Sequence, residues 1–128
     1  MPEKTAVSAS GAPQNDNPYS QGVLADGLLF VSGFGPVDPE TGEEVEGDVR
    51  EQTHRVMENL AAVVEEAGGS LDDVVKATVY VTDMDDYGAV NEAYAEHVGE
   101  TPPARVCIEA SRLPDDVRVE IDAVAKVE

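Results

Sequence analysis

Arg105 is the residue in this sequence whose type and position best suit the binding of a small acidic molecule. It follows Pro102 and Pro103, whose rings restrict the backbone that leads into an alternating, strand-like segment. Its planar guanidinium offers two parallel N–H donors to a carboxylate and keeps its charge at working pH. On the residue pattern alone, the alternative is a surface arginine paired with one of the 27 acidic residues, which is the commoner case.

The alternation also assigns neighbours to Arg105. A side-chain period of two places it on one face of the predicted strand with Cys107 and Glu109. The opposite face then carries three apolar residues, Val106, Ile108 and Ala110. Cys107 could act as a nucleophile, but a buried structural thiol is the commoner case for a cysteine with no histidine nearby in sequence.

Glu120 is the second candidate for chemistry. It lies between Val119 and Ile121 in the last predicted strand, so it points away from the face that those apolar residues bury. It is either a solvated surface acid or a group that holds a water molecule near Arg105. The second interpretation applies if the last two strands pair through the turn at residues 111–116.

Other kinds of site find little support in the sequence. His54 and His97 fall on different predicted helices without a cluster of Cys or His beside them, and we interpret both as exposed helix residues. The paired aspartates at 72–73, 85–86 and 115–116 fit turns and helix starts. Because no nucleotide-binding or nucleophile motif is present, we expect neither a metal nor a cofactor.

The composition limits the partners and the compartment. A chain of 128 residues with 41% hydrophobic residues predicts a single domain over residues 1–128. A net charge of -19 repels nucleic-acid phosphates and anionic lipid, so neither is an expected partner, and the dispersed acids favour a halophilic source. The single cysteine excludes an intramolecular disulfide, and no signal-peptide or membrane-spanning pattern is present. We therefore expect a cytoplasmic protein.

The hydrophobic pattern predicts elements in the order β-β-α-β-α-β-β, with a possible short edge strand at residues 5–9. A hairpin turns at Asp26-Gly27, and an Asp48–Glu51 capping pair opens a helix that ends at Gly68-Gly69. The second helix is predicted at 86–98, and the remaining strands at 74–81, 105–110 and 117–124. The result is an α+β fold, a single-layer mixed β-sheet with two helices on one face.

Burial in the 74–81 strand is predicted from alternation. Val75, Ala77, Val79 and Val81 would face one side, and Val74, Lys76, Thr78 and Tyr80 the other. Two helices cover only one face of such a sheet. The other face carries mixed residues, for which we take Thr78, Tyr80 and Cys107 as examples, and this mixture indicates burial against another subunit.

Five segments together resemble a known protein family. They are NPYSQG at 17–22, LLFVSGFGPVDPETG at 28–42, VYVTDM at 79–84, VNEAY at 90–94, and PPARVCIE with the closing VRVEIDAVA between 102 and 125. In order and spacing they are similar to the RidA/YjgF family of reactive-intermediate (enamine/imine) deaminases. The resemblance runs from about residue 4 to 126, nearly the whole chain.

This resemblance implies a chorismate-mutase-like fold assembled as a homotrimer with clefts between subunits. It also implies hydrolysis of 2-iminoacids, or of enamines such as 2-aminoacrylate, to 2-oxoacids and ammonia without a cofactor. By position, Arg105 would grip the substrate carboxylate and Glu120 would position or activate water. The pocket would further include Tyr19, Ser32, Gly33, Asn91 and Cys107. From the residues alone, the favoured interpretation of the first four is structural, as packing, loop, turn or helix residues.

Two positions depart from the family pattern, and one other function remains open. Asn17 stands where relatives commonly have glycine, and Phe34 where many have glutamine. Phe34 would either form part of the pocket wall and favour apolar substrates, or point into the core or a subunit contact. The alternative function is a non-enzymatic trimer that binds a 2-oxoacid or another protein, which would need only the arginine.

Overall fold

Both helices of this protein pack against one face of a six-stranded mixed sheet. The computed structural model describes residues 3–127. The strands are β1 (Thr5–Val7), β2 (Gly22–Ala25), β3 (Leu28–Phe34), β4 (Val74–Val81), β5 (Ala104–Glu109) and β6 (Val119–Lys126), and the helices are α1 (Val49–Glu66) and α2 (Tyr87–Ala95). The strand order is β1-β2-β3-β6-β4-β5. Only the β4–β5 pair is parallel, so the predicted fold class is confirmed.

Local sequence signals explain where the first elements begin and end. Asp26 and Gly27 both have positive φ, 52° and 76°, which is the geometry of the tight hairpin between β2 and β3. The Asp48 carboxylate accepts the Glu51 N–H at 2.9 Å, which with the reciprocal bond forms the predicted capping box of α1. Gly68, at φ +96°, ends that helix in a conformation that residues with a Cβ rarely adopt.

The second helix is shorter than the 86–98 span predicted. A short 3₁₀ turn at Met84–Asp86 precedes it, and the helix ends at Ala95 with Glu96 as its C-cap. Helical periodicity predicts one apolar stripe on this helix, formed by Tyr87, Val90, Tyr94 and Val98. Val90 and Tyr94 are buried, whereas Tyr87 is 42% exposed. The exposed Tyr87 ring lies near Arg105, as described below.

The predicted faces of β4 were wrong at its first two residues. Val74 is buried and Val75 is 49% exposed, the reverse of the alternation that Ala77, Val79 and Val81 follow. The pairing of β4 with β6 shifts register between Val74 and Lys76. A bulge inserts one extra residue and so inverts every side chain on one side of it, which periodicity alone does not reveal.

Two further expectations are corrected by the sheet topology. β5 and β6 do not pair through the 111–116 turn, because β4 lies between them. Cys107 lies opposite Val79 on the helix-covered face and packs against the core, so it does not belong with Thr78 and Tyr80 on the uncovered face. β6 also begins and ends two residues later than predicted. Within residues 3–127, neither helix combines the length and the apolar character that a membrane-crossing segment needs.

Candidate active site

A cleft opens where β3 and β6 lie side by side on the uncovered face of the sheet. Tyr19, Ser32, Gly33 and Glu120 line it, together with the loops at residues 13–15 and 114–117. Val119 and Ile121 are fully buried, so the intervening Glu120 points to the opposite, uncovered side as predicted. We call this group the Glu120 cleft.

Gly33 makes room for the Glu120 carboxylate. The pairing of β3 with β6 shifts register between Val31 and Phe34, so Ser32 and Gly33 occupy an irregularity of the strand. A Cβ built on Gly33 would overlap Glu120 Oε2 and lie 3.0 Å from its Cδ. Because the φ of Gly33 is not in the left-handed region, lack of space rather than backbone conformation requires a glycine here.

The Glu120 carboxyl lies in surroundings that disfavour its charge. Burial, and secondarily the negative charge of Asp122, raises the pKa of Glu120 above its usual range. Asp122 in turn accepts a hydrogen bond of 3.1 Å from the Tyr80 hydroxyl, on the same face. A carboxylate whose pKa is raised accepts a proton from water more readily than one with the usual pKa.

Hydrogen bonds join the Tyr19 loop to β3. The Ser32 hydroxyl donates to the Ser20 carbonyl at 2.6 Å, and the Ser32 N–H donates to the Gln21 carbonyl at 2.9 Å. The Tyr19 hydroxyl accepts a 2.7 Å bond from the Asn15 side-chain amide. Ser32 therefore positions the loop that carries Tyr19, in addition to lining the cleft.

Gln21 is a positioning residue that the sequence analysis did not single out. Its side chain is 8% exposed. Its Oε1 accepts the Ala9 N–H at 2.6 Å, and its Nε2 donates to the carbonyls of Ala12 at 3.2 Å and Pro13 at 2.8 Å. These bonds fasten residues 9–13 beside the cleft. Its position within the NPYSQG segment, one of the segments that resemble the family, was the sequence feature that could have identified it.

Arg105 lies on the other, helix-covered face of the sheet, at the edge strand β5. Its Cζ lies 4.9 Å from the ring centroid of Tyr94 and 5.6 Å from that of Tyr87, within the range of cation–π contacts. Its Nη2 also donates a long bond of 3.4 Å to the Tyr87 hydroxyl. Among residues 3–127, no carboxylate lies within 4.0 Å of Arg105. The interpretation as an ordinary surface ion pair is therefore wrong.

Asn91 and Cys107 belong to the same side of the sheet as Arg105. Asn91 lies on α2, four residues after Tyr87 and three before Tyr94, so the three side chains share a helix face. Its Oδ1 is buried and has no hydrogen-bond partner among residues 3–127. Burial raises the pKa of the Cys107 thiol, and the charge of Arg105 only partly offsets this, so the thiol favours its protonated, unreactive form. We call Tyr87, Asn91, Tyr94, Arg105 and Cys107 the Arg105 group.

Within one chain, the Glu120 cleft and the Arg105 group cannot contact the same small molecule. Arg105 pairs with Ala77, which is 2% exposed on the helix side, whereas Glu120 pairs with Tyr80 on the other side. Two strand spacings separate β5 from β6, about 10 Å. Along the strands, Arg105 lies level with Ala123, three residues and about 10 Å from Glu120. The chain therefore carries two separate clusters of candidate residues, each called a half-site because it holds only part of the predicted set.

The remaining sequence candidates are Phe34 and the two histidines. Phe34 is 5% exposed and packs in the hydrophobic core, where it pairs with Ile121, and it also contributes to the lining of the Glu120 cleft beside Gly33. His54 and His97 are not simply exposed: both are partly buried, and His54 Nδ1 lies 2.8 Å from His97 Nε2. In residues 3–127, no three His, Cys, Asp or Glu side chains converge as metal ligands would.

Comparisons with known proteins agree with this fold. A family model described as Endoribonuclease L-PSP matches residues 9–127. A RutC family protein of Pyrococcus abyssi is 52% identical over 122 residues, covering 95% of this chain and 96% of the relative. An Escherichia coli K12 protein named "Putative reactive intermediate deaminase TdcF" is 41% identical over 125 residues, covering 95% of this chain and 96% of the relative.

Solved structures give the same result. The crystal structure of E. coli TdcF with bound serine superposes with a TM-score of 0.90 at 40% identity, covering 97% of this chain and 99% of that one. RidA from the Antarctic bacterium Psychrobacter sp. PAMC 21119 superposes with a TM-score of 0.92 at 36% identity, covering 96% and 99%. The two half-sites lie on a fold that these proteins share. This chain belongs to the RidA/YjgF family.

Proposed function

We propose that this protein hydrolyses 2-iminoacids and their enamine tautomers to 2-oxoacids and ammonia, in active sites formed between subunits of a homotrimer. The observation that carries the proposal is the environment of Arg105. In a chain of net charge -19, this guanidinium has no carboxylate partner among residues 3–127 and is flanked by aromatic rings. Apart from the long bond that Nη2 donates to the Tyr87 hydroxyl, its N–H groups are thus left for the carboxylate of a ligand.

The reaction suits the groups that the two half-sites offer. Arg105 would hold the substrate carboxylate and thereby fix the adjacent C2. Glu120 would take a proton from a water molecule whose oxygen forms a bond to C2 of the protonated imine. Glu120 then returns that proton to the nitrogen of the resulting carbinolamine. The C–N bond breaks as the hydroxyl oxygen forms the C=O bond, and the hydroxyl proton passes to the departing ammonia. Water and iminium thus give 2-oxoacid and ammonium, with no oxidant and no cofactor.

The separation of the half-sites supports an arrangement between chains. A second copy that covers the open sheet face would bury three exposed apolar side chains there, Phe30, Val106 and Ile108, which are 44–47% exposed in the single chain. It could also bring its Arg105 group to the Glu120 cleft of the first copy. The description of the family model mentions an endoribonuclease, but a charge of -19 disfavours binding to RNA phosphates.

The activity is tested by generating imines in place. An L-amino-acid oxidase or a threonine dehydratase supplies the imine, and ammonia release is followed with and without this protein, with Arg105→Ala as the matched variant. We expect acceleration by the wild type only, and Arg105→Lys should recover little because an ammonium cannot form the bidentate pair. Binding of 2-oxoacid without any acceleration would instead indicate a metabolite-binding trimer.

The location between subunits has its own test. Arg105→Ala and Glu120→Gln chains, each inactive alone, are unfolded together and refolded as a mixture. If each site takes Arg105 from one chain and Glu120 from another, random assortment into trimers restores about a quarter of the sites. If both residues act within one chain, the mixture stays inactive.

A further inference from the structure

We propose that Tyr94 is a positioning residue for Arg105: its ring face holds the guanidinium plane in the orientation that accepts a two-oxygen ligand, with Tyr87 as a second wall. This inference deepens the proposed function and rests on it for the identity of the ligand. The positioning itself rests on geometry alone. Tyr87 and Tyr94 are seven residues apart on α2, two helical turns, and both rings lie within 6 Å of Arg105 Cζ.

The two rings differ in how firmly they are held. Tyr94 is 6% exposed and its ring belongs to the hydrophobic core, whereas Tyr87 is 42% exposed. The nearer contact, 4.9 Å against 5.6 Å, is with the buried ring. Tyr94 is therefore a fixed surface for the guanidinium, and Tyr87 closes over it from the solvent side.

A positioned guanidinium is needed because an arginine side chain has many rotamers. Ordering it when a ligand binds costs conformational entropy, and a bidentate pair forms only in one plane. An ion pair with a neighbouring acid would order Arg105 but would occupy the same N–H groups that the ligand needs. Aromatic faces order the cation and leave its N–H groups free, except for the one that donates the long 3.4 Å bond to the Tyr87 hydroxyl.

The ring, and not the hydroxyl, is the part of Tyr94 that this role uses. The Tyr94 hydroxyl is buried without a hydrogen-bond partner among residues 3–127, an arrangement that normally costs stability. Tyr94→Phe should therefore keep ligand affinity and raise the melting temperature. Tyr94→Leu removes the ring face and should weaken binding of 2-oxobutanoate, a stable product-like probe, by roughly 3- to 30-fold.

The experiment separates positioning from a general effect on the fold. Val98→Ala is the control, because Val98 lines the same small apolar void as Tyr94 and has no ring to present to the guanidinium. We expect it to lower the melting temperature but not the affinity. Tyr87→Leu, at an exposed position, provides a second ring deletion with little risk to folding, and should raise KM more than it lowers kcat.

A double-mutant cycle tests whether Tyr94 affects ligand affinity through Arg105. In the Arg105→Lys background, Tyr94→Leu should have no further effect on affinity, because a lysine has no plane to orient. Additive losses, or equal losses for Tyr94→Phe and Tyr94→Leu, would overturn the proposal.

An NMR measurement that does not depend on activity tests the positioning of Arg105 by Tyr94 separately from the proposed imine hydrolysis. The Arg105 Nε–H proton, observed by NMR, should shift upfield in the wild type and in Tyr94→Phe, and return toward the random-coil position in Tyr94→Leu. If the wild type neither hydrolyses imines nor binds 2-oxoacid but shows this pattern, the proposed function fails and the positioning of Arg105 stands. If the proton does not respond to Tyr94, the positioning fails whatever the activity.

Discussion

The Glu120 carboxylate lies against the backbone of Gly33, in space that any other residue at position 33 would fill. The group in conflict is the flexible end of the Glu120 side chain and not rigid backbone. A side chain at position 33 would therefore move the acid and leave the strand in place.

Gly33→Ala should consequently fold normally and lose most activity. A displacement of the acid by about 1 Å is expected to cost roughly 100-fold in kcat, with a melting temperature close to that of the wild type. Gly88→Ala is the matched control, since a Cβ there meets nothing within 4 Å. A fully active Gly33→Ala would show that the observed position of Glu120 is not the reactive one.

Glu120→Gln should abolish catalysis while making the fold more stable at neutral pH. Because the folded pKa of Glu120 is raised by burial, the folded chain holds this proton more tightly than the unfolded chain does. The associated stability is present below the unfolded pKa of about 4.3 and is lost as pH rises through the folded pKa. The urea midpoint of the variant should exceed that of the wild type at about pH 8, and the difference should vanish at about pH 4.

His97→Gln should reduce the amount of folding stability that the protein loses when the pH is lowered from about 7 to about 5. Burial, and then the neighbouring His54, lowers the pKa of His97, against the opposing charges of Glu58 and Glu96. The unfolded chain therefore takes up this proton first, and stability is lost as pH falls from about 6.5 through the lower folded value. Denaturation midpoints measured between about pH 7 and pH 5 give the slope. His54→Gln should flatten the slope of stability against pH less than His97→Gln does, because burial lowers the pKa of His97 more than His54 does. Equal slopes in the wild type and both variants would contradict this account.

Stability should rise with salt. The net charge of -19 implies mutual repulsion among exposed acids, which about 1 M NaCl screens to a Debye length of about 3 Å. We expect the melting temperature to increase steadily from low to molar NaCl, and by more than in sucrose of equal osmolality, which does not screen charge. A melting temperature that does not change with NaCl concentration would contradict the interpretation of a halophilic source.

Features encoded within a few residues were predictable from the sequence, and those set by distant pairing were not. The Asp48–Glu51 capping box and the Asp26-Gly27 turn are local, and both were predicted correctly. The insertion of β6 between β3 and β4, and the inverted burial of Val74 and Val75, depend on partners far away in sequence. Periodicity describes one strand at a time and carries no information about its neighbour.

The same distinction applies to the site. The outward direction of Glu120 followed from its buried neighbours Val119 and Ile121. The rings beside Arg105 were visible only as part of an apolar helix stripe, because their contact with β5 depends on how α2 lies across the sheet. The interpretation in which Glu120 holds a water molecule near Arg105 of the same chain required the last two strands to pair, and β4 separates them.

The place of β6 in the sheet has a consequence for synthesis and folding. This strand follows all the others in sequence, yet it joins β1-β2-β3 to β4-β5 at the centre of the sheet. Until it is made, two sheet fragments have unpaired edges, a state prone to aggregation, and the chain has Arg105 but no Glu120. A chain whose synthesis stops before β6 therefore lacks Glu120 and cannot catalyse the proposed hydrolysis. Translation of β6, the last of the six described strands in the chain, completes the sheet and supplies the acid in a single step.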